Sequence, residues 1–147
     1  IFNVEKHIVQ INHTKTLEMG SIRGLHYQLP PYSEIKLVTC LVGEILDVVV
    51  DIRKNSATFL KWHAEVLSAE NANSFFIPEG FAHGFQALSD NCHLLYCHSA
   101  AYVPHAEAGL HYQDPKLAIK WPCEIGALSK RDQSHPFITE AFEGLIL

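Results

Sequence analysis

Lys36-Leu37-Val38-Thr39-Cys40-Leu41-Val42-Gly43-Glu44-Ile45-Leu46-Asp47-Val48-Val49-Val50-Asp51-Ile52 is the stretch on which the fold turns. β-Branched side chains are stiff at χ1 and pack well on a pleated surface, so the two runs read as strands. The glycine between them reads as the connection of a hairpin. Working outward, further strands are expected over 59–67, 74–77, 83–88 and 92–99, separated by turn formers such as Ser89-Asp90-Asn91. Many short strands at this spacing predict an all-β antiparallel sandwich or barrel. One helix is expected near the end, over 129–141, with Ser129 as N-cap and Asp132 at the capping-box position. Pro136 falls inside that range and shortens or breaks it.

Composition narrows the partners. The chain has 147 residues, 48% hydrophobic and 18% charged, which suits one globular domain with a real core. A formal charge of −5 excludes nucleic acid as the main partner, because phosphate binding needs a concentrated basic surface. No apolar run approaches a bilayer span, since Asp47 and Asp51 interrupt the most hydrophobic strand, and no basic-then-apolar leader opens the sequence. Cys40, Cys92, Cys97 and Cys123 follow no zinc or redox spacing and read as reduced core thiols, so the expected location is the cytoplasm.

Two short segments carry the chemistry: Arg23-Gly24-Leu25-His26-Tyr27-Gln28 and Pro78-Glu79-Gly80-Phe81-Ala82-His83-Gly84-Phe85. With a period of two, His26 and Gln28 share a face, as do His83 and Phe85, and as do Leu94, Tyr96 and His98. Strict alternation puts Arg23 on the face opposite His26, and a bulge at Gly24 would bring it round. Two histidines in one barrel mouth can bind a metal, hold a sugar or move a proton. The segment Pro78-x-Gly80-x-x-His83 resembles the second motif of the cupins, a β-barrel superfamily. The first cupin motif offers His-x-His and a glutamate for a divalent metal, but here His26 is followed by Gln28, and Glu34 is out of place. No metal site is expected.

The resemblance sharpens over most of the chain. Arg23 to Gln28, Lys36-Leu37-Val38, Gly43 to Arg53, Leu67-Ser68-Ala69-Glu70-Asn71, Ile77 to Phe85, Leu95-Tyr96, Tyr102-Val103-Pro104, Asp114-Pro115, Trp121-Pro122 and Leu128 to Asp132 occur in order. Together they resemble the dTDP-4-dehydrorhamnose 3,5-epimerase family, metal-free cupins that act on nucleotide sugars. That likeness implies a cupin-type antiparallel barrel or jelly roll with a short C-terminal helix. It implies a homodimer without cofactors, inverting C3, C5 or both in a dTDP-linked or other nucleotide-linked 4-keto-6-deoxy sugar. It implies His26 as the base, Asp132 as its carboxylate partner, Lys36 beside the enolate oxygen, and Tyr96 as the acid on the opposite face. Substrate contacts carried over the same way are Gln10, Asn12, Arg23, His83, Tyr102, Glu107 and Arg131. From the residues alone, Asp132 reads as a first-turn helix carboxylate, and Asp47 is a second candidate partner for His26.

Other readings stay open: a related cupin 3,4-ketoisomerase or single-centre epimerase on another nucleotide sugar, or a non-catalytic sugar-nucleotide binding protein. The family's Arg-Gly-Phe-Phe-x-Glu segment has no counterpart, so the chain reads as a single domain over 1–147 without the family's N-terminal strands. Ser33-Glu34-Ile35 replaces the small and polar residues usual before the lysine, and Cys97 stands where lysine is common.

Overall fold

The computed structural model describes residues 7–147. Nine strands run as β1 (Gln10–Thr16), β2 (Ile22–Gln28), β3 (Lys36–Val42), β4 (Glu44–Asp51), β5 (Trp62–Ser68), β6 (Ser74–Ile77), β7 (Phe81–Ala87), β8 (Cys92–His98) and β9 (Glu107–Gly109). They form a four-stranded sheet in the order β1-β8-β3-β6 and a five-stranded sheet in the order β5-β4-β7-β2-β9. The pairings between these strands are antiparallel, and an isolated bridge between Arg53 and Leu145 is parallel. The result is a cupin-like jelly roll, the expected fold class.

Gly43 does not close a hairpin. β3 pairs with β6 and β8, whereas β4 pairs with β5 and β7 in the other sheet. A hairpin loop needs at least two residues to reverse the chain, and only one separates Val42 from Glu44. The chain instead turns a corner between sheets, helped by a register shift between Cys40 and Val42. Gly43 has φ +79°, and a Cβ there would sit 2.6 Å from Ser89 Oγ.

One core lies between the sheets, built on Val38, Cys40, Ile45, Val49, Leu67, Ile77, Phe85 and Leu94. A second lies on the outer face of the five-stranded sheet, where Leu110, Leu117, Ile138 and Leu145 cover Leu25, Val48, Val50 and Ile52. β4 is therefore apolar on both faces, which explains the unbroken Val48-Val49-Val50 run. At its end Asp51, 1% exposed, accepts hydrogen bonds from Arg53 N, Nε and Nη2 (3.0, 2.9 and 2.7 Å), Ser56 Oγ (2.5 Å) and Thr58 Oγ1 (2.6 Å). Burial alone would push this carboxyl up. The bonds from Arg53, Ser56 and Thr58 outweigh it and hold Asp51 well below the usual carboxylate range.

Several expected boundaries move by one or two residues, and the start of β5 and the end of the helix move further. β5 starts at Trp62, because Phe59 and Leu60 belong to a turn in which Leu60 N–H donates to Asp51 O at 2.8 Å. The helix, α1, covers only Lys130–Ser134, with Ser129 Oγ accepting from Asp132 N at 3.0 Å as expected of the N-cap. It stops at His135 because the residue before a proline is driven out of helical geometry. β1 and β9 have weak alternating patterns, and neither is expected from the sequence.

Candidate active site

The open end between the two sheets is a cavity of about 420 Å³. Ten of the eleven residues singled out from the sequence line it: Gln10, Asn12, Arg23, His26, Lys36, His83, Tyr96, Tyr102, Glu107 and Arg131. The eleventh, Asp132, stands directly behind His26, 2% exposed.

Each wall has its own logic. On the five-stranded sheet, Arg23 lies opposite Phe85 and His26 opposite His83, three residues matched against two. That extra residue is the bulge that strict alternation lacks, and it turns Arg23 and His26 to the same side. Gly24 makes the bulge possible: its φ is +120°, and a Cβ would lie 2.5 Å from Gly84 Cα. On the four-stranded sheet the inward rows are Gln10, His98 and Lys36, then Asn12, Tyr96 and Val38, matched across β1, β8 and β3.

Two histidines face the cavity from the five-stranded sheet, each backed by a carboxylate. His26 Nε2 lies 2.6 Å from Asp132 Oδ1, and His83 Nε2 lies 2.5 Å from Asp47 Oδ1. The choice between Asp132 and Asp47 is thereby resolved geometrically: Asp132 pairs with His26, and Asp47, fully buried, pairs with His83. A carboxylate only accepts, so Nε2 of His26 carries its proton and Nδ1 is left with the basic lone pair. Burial pushes the Asp132 carboxyl up, but the hydrogen bond and charge of His26, with help from Ser129 and Arg131, bring it below its ordinary value. It is an ionised partner, suited to stabilise an imidazolium.

Across the cavity, burial drives the Tyr96 phenol well above its ordinary pKa, and the Asp47 charge adds to this. Tyr96 is thus a neutral O–H donor. Its ring meets His83 edge-on and lies nearly parallel to His98. Lys36 is 9% exposed and its ammonium reaches Glu34 Oε1 at 3.2 Å. At the mouth, Tyr102 Oη and Arg131 Nη1 both donate to Glu107 Oε2, at 3.0 and 2.8 Å, and Tyr102 N donates to Gln10 Oε1 at 2.8 Å. Tyr102 is half exposed.

Glu34 and His98 also line the cavity, and the sequence reading assigned them nothing. His98 had a visible signal, its place two residues after Tyr96 on the same face. Glu34 had none, because it precedes its strand and its partner lies 64 residues away. Gln28 is a clasp: its amide nitrogen donates to Tyr32 O and Ala101 O, and its oxygen accepts from Val103 N. Among the described residues, His26, Asp132 and His135 form the grouping whose ligand atoms lie within 4.8 Å of one another, but two of those atoms are already joined in a hydrogen bond. Exhaustive chelation is accordingly expected to leave turnover unchanged, measured on protein whose metal content is followed by elemental analysis; loss on chelation and recovery with one divalent ion would refute this.

Known proteins resemble this chain in both sequence and fold. The family model for dTDP-4-dehydrorhamnose 3,5-epimerase matches residues 2–140. The dTDP-4-dehydrorhamnose 3,5-epimerase of Shigella flexneri is 50% identical over 124 residues, covering 84% of this chain and 68% of that protein. The crystal structure of the Legionella pneumophila dTDP-6-deoxy-D-glucose-3,5-epimerase in complex with dTDP-4-keto-L-rhamnose is 40% identical, with a TM-score of 0.90 over 98% of this chain and 78% of that one. The Bacillus anthracis enzyme, solved with TDP and PPi bound, has a TM-score of 0.89 at 38% identity over 92% of this chain and 77% of that one. A match along nearly the whole sequence and an almost superimposable fold have one consequence: the chain belongs to the dTDP-4-dehydrorhamnose 3,5-epimerase family.

Proposed function

We propose that this chain is a metal-independent epimerase that inverts C3, C5 or both in a nucleotide-linked 4-keto-6-deoxy sugar, converting dTDP-4-keto-6-deoxyglucose to the dTDP-4-keto-L-rhamnose type of product. One observation carries the reading: a carboxylate-backed histidine on one sheet and a neutral tyrosine with a lysine on the other line the same cavity. Inversion needs that opposition. His26 Nδ1 removes the proton next to the carbonyl, and the C–H electrons move into an enolate whose oxygen lies beside the Lys36 ammonium. Tyr96 then delivers a proton to the other face of the same carbon, while the enolate electrons restore the carbonyl. Asp132 stabilises the imidazolium until His26 returns its proton to solvent and Tyr96 is reprotonated. Arg23 and Arg131 supply charge for the diphosphate, His83 holds the sugar, and Tyr102 offers a stacking face to the base, with Gln10, Asn12 and Glu107 beside it.

The product feeds cell-surface polysaccharide synthesis, and the cytoplasm is the proposed location. Among the described residues no helix is long and apolar enough to cross a membrane. The chain is read as one domain and as a homodimer. Support for the dimer comes from the outer face of the four-stranded sheet, where Ile11, Cys97, Leu37 and Phe76 align in one cross-strand row, with Ile11 64% and Leu37 38% exposed.

Incubation with dTDP-4-keto-6-deoxyglucose in D2O, followed by NMR, tests the reading. Deuterium entering C3, C5 or both with formation of the epimer is expected. Exchange at one centre identifies a single-centre epimerase, transfer of the keto group to C3 a ketoisomerase, and binding without exchange a non-catalytic protein. In a Tyr96→Phe variant, His26 is expected to keep exchanging the proton on its own face while epimer yield falls by about 100-fold or more. Parallel loss of exchange and inversion, with substrate still bound, would argue against separate acid and base.

A further inference from the structure

The proposed steps leave two buried ionisable groups of the cavity without a task, Glu34 and His98, each with a side chain 10% exposed. His98 Nδ1 lies 2.8 Å from Glu34 Oε2, and Glu34 Oε1 lies 3.2 Å from Lys36 Nζ. The far ring nitrogen of His98 faces Asn12 Nδ2 at 3.5 Å. The imidazole also lies on the Tyr96 ring, with centroids 5.9 Å apart and planes at 20°. One pair of side chains thus touches both of the groups that the four-stranded sheet contributes to the chemistry.

We infer that Glu34 and His98 are a positioning pair for the epimerisation, in which Glu34 aims the Lys36 ammonium at the enolate oxygen and His98 fixes the plane of the Tyr96 phenol. The inference rests on the epimerase reading above. A lysine ends in a compact charge on a four-carbon stem with many rotamers, so a cation at the enolate is worth most when something fixes it beforehand. A carboxylate on one side of the ammonium does this and leaves its other N–H bonds for the substrate. The carboxylate is itself held: burial would raise its pKa, but the His98 hydrogen bond and the Lys36 charge lower it, so Glu34 is ionised and pinned at both oxygens. His98 cannot swing away, because its two nitrogens face partners on opposite sides, Glu34 before β3 and Asn12 on β1. A hydroxyl held by ring stacking keeps its line to the sugar carbon, which matters because errors near 1 Å in such placement cost up to about 100-fold in rate.

Four variants separate the two arms of the pair: Glu34→Ala, Glu34→Gln, His98→Phe and His98→Asn. His98→Phe keeps a ring on Tyr96 and loses the donor to Glu34. His98→Asn places an amide N–H where Nδ1 stood and loses the ring. Glu34→Ala is expected to lower kcat by roughly 10- to 100-fold with KM and dTDP affinity within about twofold, and Glu34→Gln to fall between it and wild type. His98→Phe should follow Glu34→Ala, slowing exchange and inversion together, because the lysine serves both. His98→Asn should keep exchange and lose inversion. Wild-type kcat and an unchanged exchange-to-inversion ratio in Glu34→Gln and both His98 variants would overturn the inference, as would melting temperatures that fall with no change in either readout. If Glu34→Ala is too unstable to assay, the isosteric Glu34→Gln and His98→Phe decide. Failure of the epimerase reading looks different: the wild-type protein itself washes no deuterium into the 4-keto sugar.

Discussion

A His26→Asn variant is expected to lose deuterium exchange at every carbon the wild-type enzyme exchanges, by about 100-fold or more, while still binding dTDP. The amide offers no basic nitrogen where Nδ1 stood. His83, backed by Asp47 as His26 is by Asp132, is assigned to the sugar, and Tyr96 is a neutral phenol held well above its ordinary pKa by burial. Asp132 shares the effect in a graded way. Asp132→Asn removes the charge that supports the imidazolium and allows the wrong tautomer, so exchange should slow without vanishing. Rates followed by NMR in D2O, with calorimetric dTDP binding as the control for folding, provide the measurement. Near wild-type exchange in His26→Asn would remove the base from His26 and send the search to His83.

Asp51→Ala is expected to be the most destabilising single change, by about 3–5 kcal/mol, because it strands the donors of Arg53, Ser56 and Thr58 around an emptied buried site. Thermal or urea unfolding reads this directly. The pH dependence gives a second check with a definite sign. Asp51 titrates lower in the folded chain than in the unfolded one, because its bonds to Arg53, Ser56 and Thr58 outweigh the cost of burial. Its contribution is therefore complete above the ordinary carboxylate range and is lost as pH falls through that range toward the folded value. The wild-type protein should lose stability on acidification below about pH 4, and Asp51→Ala should show a shallower acid limb. Equal slopes in the two proteins would mean that the acid sensitivity lies elsewhere.

Much of this molecule is legible in one dimension, for reasons that stop at identifiable places. The alternation of β3 and β8 marks half-buried strands, and it correctly puts Tyr96 and His98 on one face. Gly43 misleads because a corner between sheets and a hairpin use the same residue types; only the one-residue length of the link tells them apart. Arg23 reaches the cavity through an extra residue at the bulge, which a period of two can accommodate and never demand. The site residues came from ordered motifs, since no local pattern says that Asp132 meets His26 across 106 positions. Family likeness also hides what is particular to a chain. Glu34 looked like a departure from a pattern, and its meaning emerges only when Lys36 and His98 are seen on either side of it.

The distance along the chain between His26 and Asp132 has a consequence for how the protein is made. Every strand that lines the cavity precedes residue 110, so both walls lie upstream of the segment that carries the carboxylate. The histidine is in place early and its carboxylate comes late, on the short helix at Lys130–Ser134. A chain that stops before Ser129 would keep every strand of the pocket but lose both the carboxylate behind His26 and the Arg131 charge at the mouth. Stop codons between Ile138 and Leu145 and stop codons just before the helix should therefore differ in kind: the former remove Ile138 or Leu145 from the outer core and cost stability, the latter also take away the chemistry.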